Sequence, residues 1–100
     1  MTMLNPKHAG TGTQATGVIT TGVASLLTFS KPCSFVVISN QSGAVAYFKV
    51  NDAASPLVST SVYDFTLASG QTLVLNESIS IKTLGVLVTS GAIIIGASGW

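Results

Sequence analysis

The chain has almost no charge and no arginine. Its 100 residues include four lysines and three acids, so the formal net charge is +1, and 7% of residues are charged against 47% hydrophobic. An average globular domain carries roughly 25% charged residues, which keep it soluble and apart from its neighbours. A surface so poor in charge offers nothing to neutralise phosphates, which argues against nucleic-acid binding. It indicates instead a surface covered by other protein in a permanent assembly, the alternative being a neutral, hydroxyl-rich domain that stays soluble alone.

Residues that carry chemistry are equally scarce. The single cysteine, Cys33, excludes an intrachain disulfide, and it is expected to pack in a strand as a small apolar group. The single histidine, His8, lies among glycines and threonines that give it no rigid position. Asp52, Asp64 and Glu77 are far apart in sequence, and no zinc spacing is present. We therefore predict no enzyme activity, no cofactor and no metal site, with calcium in a loop left open.

The chain also lacks a convincing membrane segment. Residues 83–100 carry no charge and approach the roughly 20 residues of a spanning helix. However, Thr89–Gly91 interrupts them with turn residues, and their apolar runs are β-branched, which favours two short strands. The N-terminus has no apolar core of the kind that a secretory signal needs. We expect a protein made in a cytoplasm, with no membrane partner.

Alternation of apolar and polar residues is the dominant pattern. "DFTLASGQTLVLN" (64–76) alternates on both sides of "ASGQ", which predicts a β-hairpin with Gly70 at positive φ and with Leu73 and Leu75 facing inward. No helical stripe of useful length appears. About seven or eight short strands with regular turn signals predict an all-β protein, a single β-sandwich of Greek-key or jelly-roll type.

The same alternation predicts the other strands. Val18–Ile19 and Leu26–Phe29 resemble strands, Cys33–Ser39 follows Pro32, and Ala44–Val50 returns after an Asn-Ser-Gly turn. In this last strand Val45, Tyr47 and Lys49 share one face. Because Lys49 is charged, we expect that face to point outward and the face of Phe48 to point inward. Two final strands are expected around Thr89–Gly91.

The N-terminal segment is different in composition. Residues 1–17 hold glycines, threonines and little to bury, which predicts an extended arm that orders, if at all, against a partner. The domain organisation expected is thus an arm over 1–17 and a β-sandwich over 18–100.

The segments "FVVISNQSGAVAYFKVN", "LASGQTLVLN" and "LGVLVTSGAIIIGASGW" resemble, in order and style, those of small tailed-phage virion proteins. Among these, capsid decoration (cement) proteins are similar in size and composition. The resemblance implies a non-enzymatic protein on the capsid surface, present in many copies and trimeric, with the major capsid protein and sibling copies as partners. A tail, neck or fibre-head component and a carbohydrate-binding or cell-surface module are the alternatives.

Candidate interface residues follow from exposure and residue type. Trp is enriched at interfaces, so Trp100 is one candidate, although it could equally cover the end of the sandwich. Tyr47 and its neighbour Val45 are candidates on the outward face of their strand. The arm contributes the remaining ones, Met3, Leu4 and Pro6.

Overall fold

The computed structural model describes residues 12–76 and 80–100, and within them it contains strands and no helix. The expected all-β class and the number of strands are thereby confirmed. Eight strands follow one another along the chain: β1 (Thr13–Gln14), β2 (Ser25–Cys33), β3 (Val36–Asn40), β4 (Ala46–Val50), β5 (Phe65–Leu67), β6 (Gln71–Leu75), β7 (Ile81–Val88) and β8 (Ile95–Gly99).

The strands form two antiparallel sheets of four that pack together in a sandwich-like arrangement. Sheet A has the order β1-β8-β3-β6, and sheet B has the order β2-β7-β4-β5. Every pair of neighbours is antiparallel. Sequential strands therefore alternate between the sheets almost throughout, and only β4 and β5 are both consecutive and paired.

This alternation corrects the predicted hairpin over residues 64–76. Its two strands, β5 and β6, do form, but β5 pairs with β4 and β6 pairs with β3 in the other sheet. The turn between them has the expected form, because Gly70 has a φ of 83° and the Gln71 amide donates to the Ala68 carbonyl at 3.1 Å. The same turn thus carries the chain from one sheet to the other.

Three further strand predictions were wrong in detail. Val18–Ile19 forms no strand, since Val18 is exposed beside a turn that Gly22 closes at a φ of 76°. Cys33 ends β2 and does not begin β3; the β2–β7 register shifts between Thr28 and Cys33, and this irregularity accommodates Pro32. The alternation before the ASGQ turn begins at Val62, but β5 begins only at Phe65 and is three residues long.

The core lies between the two sheets and follows the period of two along the strands. Val36 and Ile38 from sheet A meet Phe29, Phe48 and residues of β7 from sheet B, all of them fully buried. Phe48 therefore faces inward as predicted. Leu73 and Leu75 also pack against the core, whereas Val74 between them is exposed. Alternation had correctly separated inner from outer faces.

The N-terminal end of the described chain forms hydrogen bonds with both sheets. Gln14 pairs with Ser98 in sheet A, and Thr16 forms a bridge with Thr28 of sheet B. Residues 12–17 of the predicted arm therefore pack on the strands. Residues 1–11, which include Met3, Leu4, Pro6 and His8, lie outside the described residues.

The apolar C-terminal stretch contributes to β7 and β8, as the turn residues at 89–91 had predicted. Among the described residues there is no helix with the length and apolar character needed to cross a membrane.

Candidate protein-protein interface

Among the described residues, the outer face of sheet A carries no charged side chain. β8 and β3 are its central strands, and alternate residues of each strand point away from the core. Val37 pairs with Val74 on one side and with Ser98 on the other, and Ser39 pairs with Thr72 and Gly96. We call this surface the neutral face; its residues are Gln14, Val37, Ser39, Thr72, Val74, Ile94, Gly96 and Ser98.

The charged residues of the described chain belong to the strands of sheet B or to the loop that follows β4. Lys31, Lys49 and Lys82 belong to β2, β4 and β7 of sheet B, and the strands of sheet A contain no charged residue. Asp52 and Asp64 lie in the loop of residues 51–64, which joins β4 to β5 in sheet B. The two broad surfaces therefore differ sharply in electrostatic character.

The neutral face is partly apolar. Glycine and small hydroxyl side chains occupy its centre, and the side-chain amide of Gln14 donates to the Ser98 hydroxyl at 3.0 Å. Val74 and Ile94 are 52% and 59% exposed, and none of the charged residues in the described chain belongs to this face. A surface of this kind can approach another protein closely without leaving a charge desolvated.

Trp100 lies at the margin of the neutral face. Its ring packs edge-on against Phe35, with centroids 5.7 Å apart, and rests over Gly12. Its main-chain amide donates to the Phe35 carbonyl at 2.8 Å, which continues the β3–β8 ladder. Trp100 thus covers one end of the sheet, and it also borders the surface for which it was predicted as an anchor.

Val45 and Tyr47 lie on the opposite surface. Tyr47 pairs with Leu87 of β7 and meets the ring of Tyr63 edge-on, with centroids 5.3 Å apart. Val45 and Tyr63 are 41% and 46% exposed, while Tyr47 is half-buried. The structure therefore does not bring Val45 and Tyr47 together with Trp100.

Loop 51–64 covers much of the outer face of sheet B. Asp52 is buried against Gly85, where the absence of a side chain makes room for its carboxylate. The carboxylate accepts hydrogen bonds from the main-chain amides of Ala53, Leu57 and Val58 at 2.8–3.0 Å. Part of the outer face of sheet B is thus covered by its own loop, whereas within the described residues no loop lies across sheet A.

The environment of Asp52 decides its charge. Burial alone would raise the pKa of this carboxyl, but the hydrogen bonds from Leu57, Ala53 and Val58, together with the charge of Lys49, hold the pKa below its ordinary value. Asp52 is therefore an ionised, structural residue of the loop.

A groove of about 400 Å³ opens at the edge of the sandwich between β8 and β2. The pairing of β1 with β8 ends at Ala15, whose amide donates to the Ala97 carbonyl, and the chain then crosses to sheet B. Apolar side chains, chiefly Ile19, Leu27, Ile93 and Ile95, line the groove. It adds an apolar edge beside the neutral face but contains no titratable group.

The cysteine and the second aspartate of the described chain make structural contacts. Cys33 is fully buried; burial raises the pKa of its thiol against the opposing charges of Lys31 and Lys82, and the thiol donates to the Lys31 carbonyl at 3.3 Å. Asp64 accepts from the Val50 amide at 2.7 Å. In residues 12–76 and 80–100, no three His, Cys, Asp or Glu side chains are placed to hold a metal ion. Glu77 lies outside the described residues.

The neutral face was not identified from the sequence, although a partial signal was present. The segments that form β3, β6 and β8 contain no charged residue, and this was visible beforehand. What was missing was the strand order, which places these three segments side by side with β1. Comparison of the chain with protein-family models, with curated proteins and with solved structures finds no match.

Proposed function

We propose that this chain is a non-enzymatic structural protein of a virus particle, a capsid decoration protein that binds the outside of a phage head and stabilises the shell. The segregation of charge carries the proposal. All five charged residues of the described chain lie on sheet B or its loop, and sheet A presents an uncharged broad surface. In such a particle the neutral face would be covered by protein and the charged side would meet solvent.

The fold is proposed to be a jelly roll. What supports this is the strand order, because the last two strands each return between two earlier ones, β8 between β1 and β3 and β7 between β2 and β4. In a Greek key the fourth strand likewise returns beside the first. Eight-stranded jelly rolls built from two such units occur in viral capsid and lectin domains. The order is thus compatible with a shell-associated role.

The protein would act by adding binding contacts that hold the shell together. Apolar burial contributes roughly 25 cal/mol per Å², so a contact that covers Val74, Ile94 and their surroundings offsets part of the cost of association. Many copies bound to one lattice, in a homo-oligomer and against the major capsid protein, add avidity without new contacts. The summed contacts would resist the outward pressure of packaged DNA.

Copy number per particle tests the proposal. Quantitative mass spectrometry of purified virions should give a stoichiometry comparable to that of the major capsid protein. A handful of copies would instead indicate a tail, neck or fibre-head component. Absence of the chain from particles would refute a virion role altogether.

A carbohydrate-binding function is the second candidate, and one observation favours it. Tyr63 is 46% exposed beside Tyr47 on the charged side of the molecule, and lectin domains also use jelly rolls. The two rings are inclined by 65°, so they do not form one flat stacking platform. Glycan-array binding that is lost in Tyr63→Ala and kept in Val62→Ala would favour this function over decoration.

A further inference from the structure

We infer that the neutral face is a homotypic contact surface, on which a second copy of the chain packs with its own neutral face. This inference rests on the proposed function in one respect, because both take the neutral face to be covered by protein. It adds the identity of the partner. It can also be tested on the purified chain without any particle.

The argument starts from electrostatic matching. An ordinary protein surface is rich in charged groups, and burying an unpaired charge against an uncharged face is costly. The described residues of the neutral face include no side chain of opposite charge that could form an ion pair with such a group. The best-matched partner is therefore another surface without charge. The neutral face of a second copy is such a surface, because the two chains are identical.

The shape of the face supports the same partner. Sheets pack face to face about 10 Å apart when their side chains interdigitate. Gly96 and Ser39 are opposite one another at the centre of the neutral face, where small side chains permit a close approach. Val37 and Val74 form a neighbouring apolar pair whose side chains can interdigitate with those of a facing sheet. A face-to-face dimer would thus repeat, between the two copies, the sheet-on-sheet packing that each copy has in its own core.

The groove between β8 and β2 was weighed as a docking site and is less informative. Its lining is apolar, but nothing in the described residues selects an occupant for it. The Tyr47–Tyr63 pair adjoins a loop that already covers its sheet. The neutral face is the broad surface that no loop of the described residues covers.

The contact has two-fold symmetry because both copies use the same surface. A surface that binds a copy of itself forms an isologous contact about a two-fold axis, which closes as a dimer. The resemblance to decoration proteins instead implies a trimer, which requires two different patches on each chain. The oligomeric state therefore discriminates between these arrangements.

Sedimentation equilibrium of the purified full chain is the first measurement. We expect a dimer whose dissociation constant changes little between about 0.1 M and 1 M salt, since no charges are there to be screened. A monomer at all concentrations would overturn the inference. A dimer that dissociates as salt is raised would overturn it too.

Lysine substitutions locate the contact. Val74→Lys and Ile94→Lys each place a charge on the neutral face and should weaken the dimer by about 100-fold or more, because desolvated or like charges cost several kcal/mol at an interface. Val62→Lys and Leu57→Lys are the matched controls, since these residues are 45% and 63% exposed in loop 51–64. The controls should leave the dimer intact. Both Val74 and Ile94 are exposed, so folding is preserved, and circular dichroism checks it.

The outcomes separate this inference from the proposed function. If the Val74 and Ile94 variants remain dimeric or trimeric, the contact uses another surface and the inference fails, whatever the copy number in virions. If the dimer depends on Val74 and Ile94 but the chain is absent from particles, the inference stands and the virion role fails.

Discussion

The side-chain amide of Asn40 donates a hydrogen bond of 2.9 Å to the main-chain carbonyl of Leu67, and so joins the end of β3 in sheet A to the end of β5 in sheet B. The same amide donates to the Ala44 carbonyl at 3.0 Å, and its oxygen accepts from the Ser42 amide at 2.9 Å. Asn40 has no exposed surface. One polar side chain therefore holds the turn after β3 and links the two sheets.

Replacing Asn40 should cost much of the stability. Asn40→Asp removes both donated bonds and places a buried carboxylate beside two carbonyls, so we expect a loss of about 3 kcal/mol or more in the free energy of unfolding. Urea denaturation measures it. Asn76→Asp makes the same chemical change at an exposed site and should cost less than about 0.5 kcal/mol. Equal losses in the two variants would contradict the role of Asn40.

Gly85 is predicted to be intolerant of even one methyl group. In Gly85→Ala the new Cβ would overlap the Asp52 carboxylate and displace it from its backbone donors, for a loss of about 1–3 kcal/mol. Gly43→Ala is the control, because a Cβ there meets open space. The loss should shrink when Asp52→Ala is present as well, which a double-mutant cycle would show. An additive cycle would argue against the contact.

Stability should fall in acid because of Asp52. Its pKa in the folded protein is lowered, so the unfolded chain binds a proton more readily. The stabilising contribution is complete above the unfolded-state pKa of about 4 and is lost as the pH falls through the folded-state pKa. Denaturation between about pH 6 and pH 2 should show a smaller acid loss in Asp52→Asn than in the parent chain. Identical pH profiles would refute this assignment.

Cys33 should resist alkylation in the folded protein. Its thiol is buried and its pKa is raised by that burial, so few thiolates are available for attack. We expect the folded chain to react with a thiol reagent at least about 100-fold more slowly than the unfolded chain, since reaction requires opening of the structure. Thr72→Cys adds an exposed thiol in β6 as the positive control. Rapid modification of Cys33 in the parent chain would contradict its burial.

Local periodicity predicted which side of a strand is buried. Phe48 is buried and Tyr47 faces outward because an extended backbone alternates its side chains, a property that needs no knowledge of the partner strand. The turn at Gly70 was also predictable, since its geometry depends on adjacent residues.

Strand pairing was not predictable in the same way. The turn of residues 68–71 has the sequence of a hairpin turn, yet it connects β5 and β6 in different sheets. A tight turn fixes the local direction of the chain, but the twist and packing of both sheets decide where the next strand finds its partner. The neutral face depends on that pairing, so only its marginal residue Trp100 was anticipated, while Val45 and Tyr47 lie on the other surface.

The alternation between sheets has a consequence for synthesis of the chain on the ribosome. Gln14 and Ser98, 84 positions apart, are neighbours in sheet A, and β8 fills the space between β1 and β3. A nascent chain that lacks β8 therefore holds strands with unsatisfied edges, and it has few charges to deter self-association. We therefore expect the sheets to complete only after β8 has emerged, and the long-range pairing to make folding slow. Chains that terminate before β8 should aggregate during expression instead of accumulating as soluble fragments.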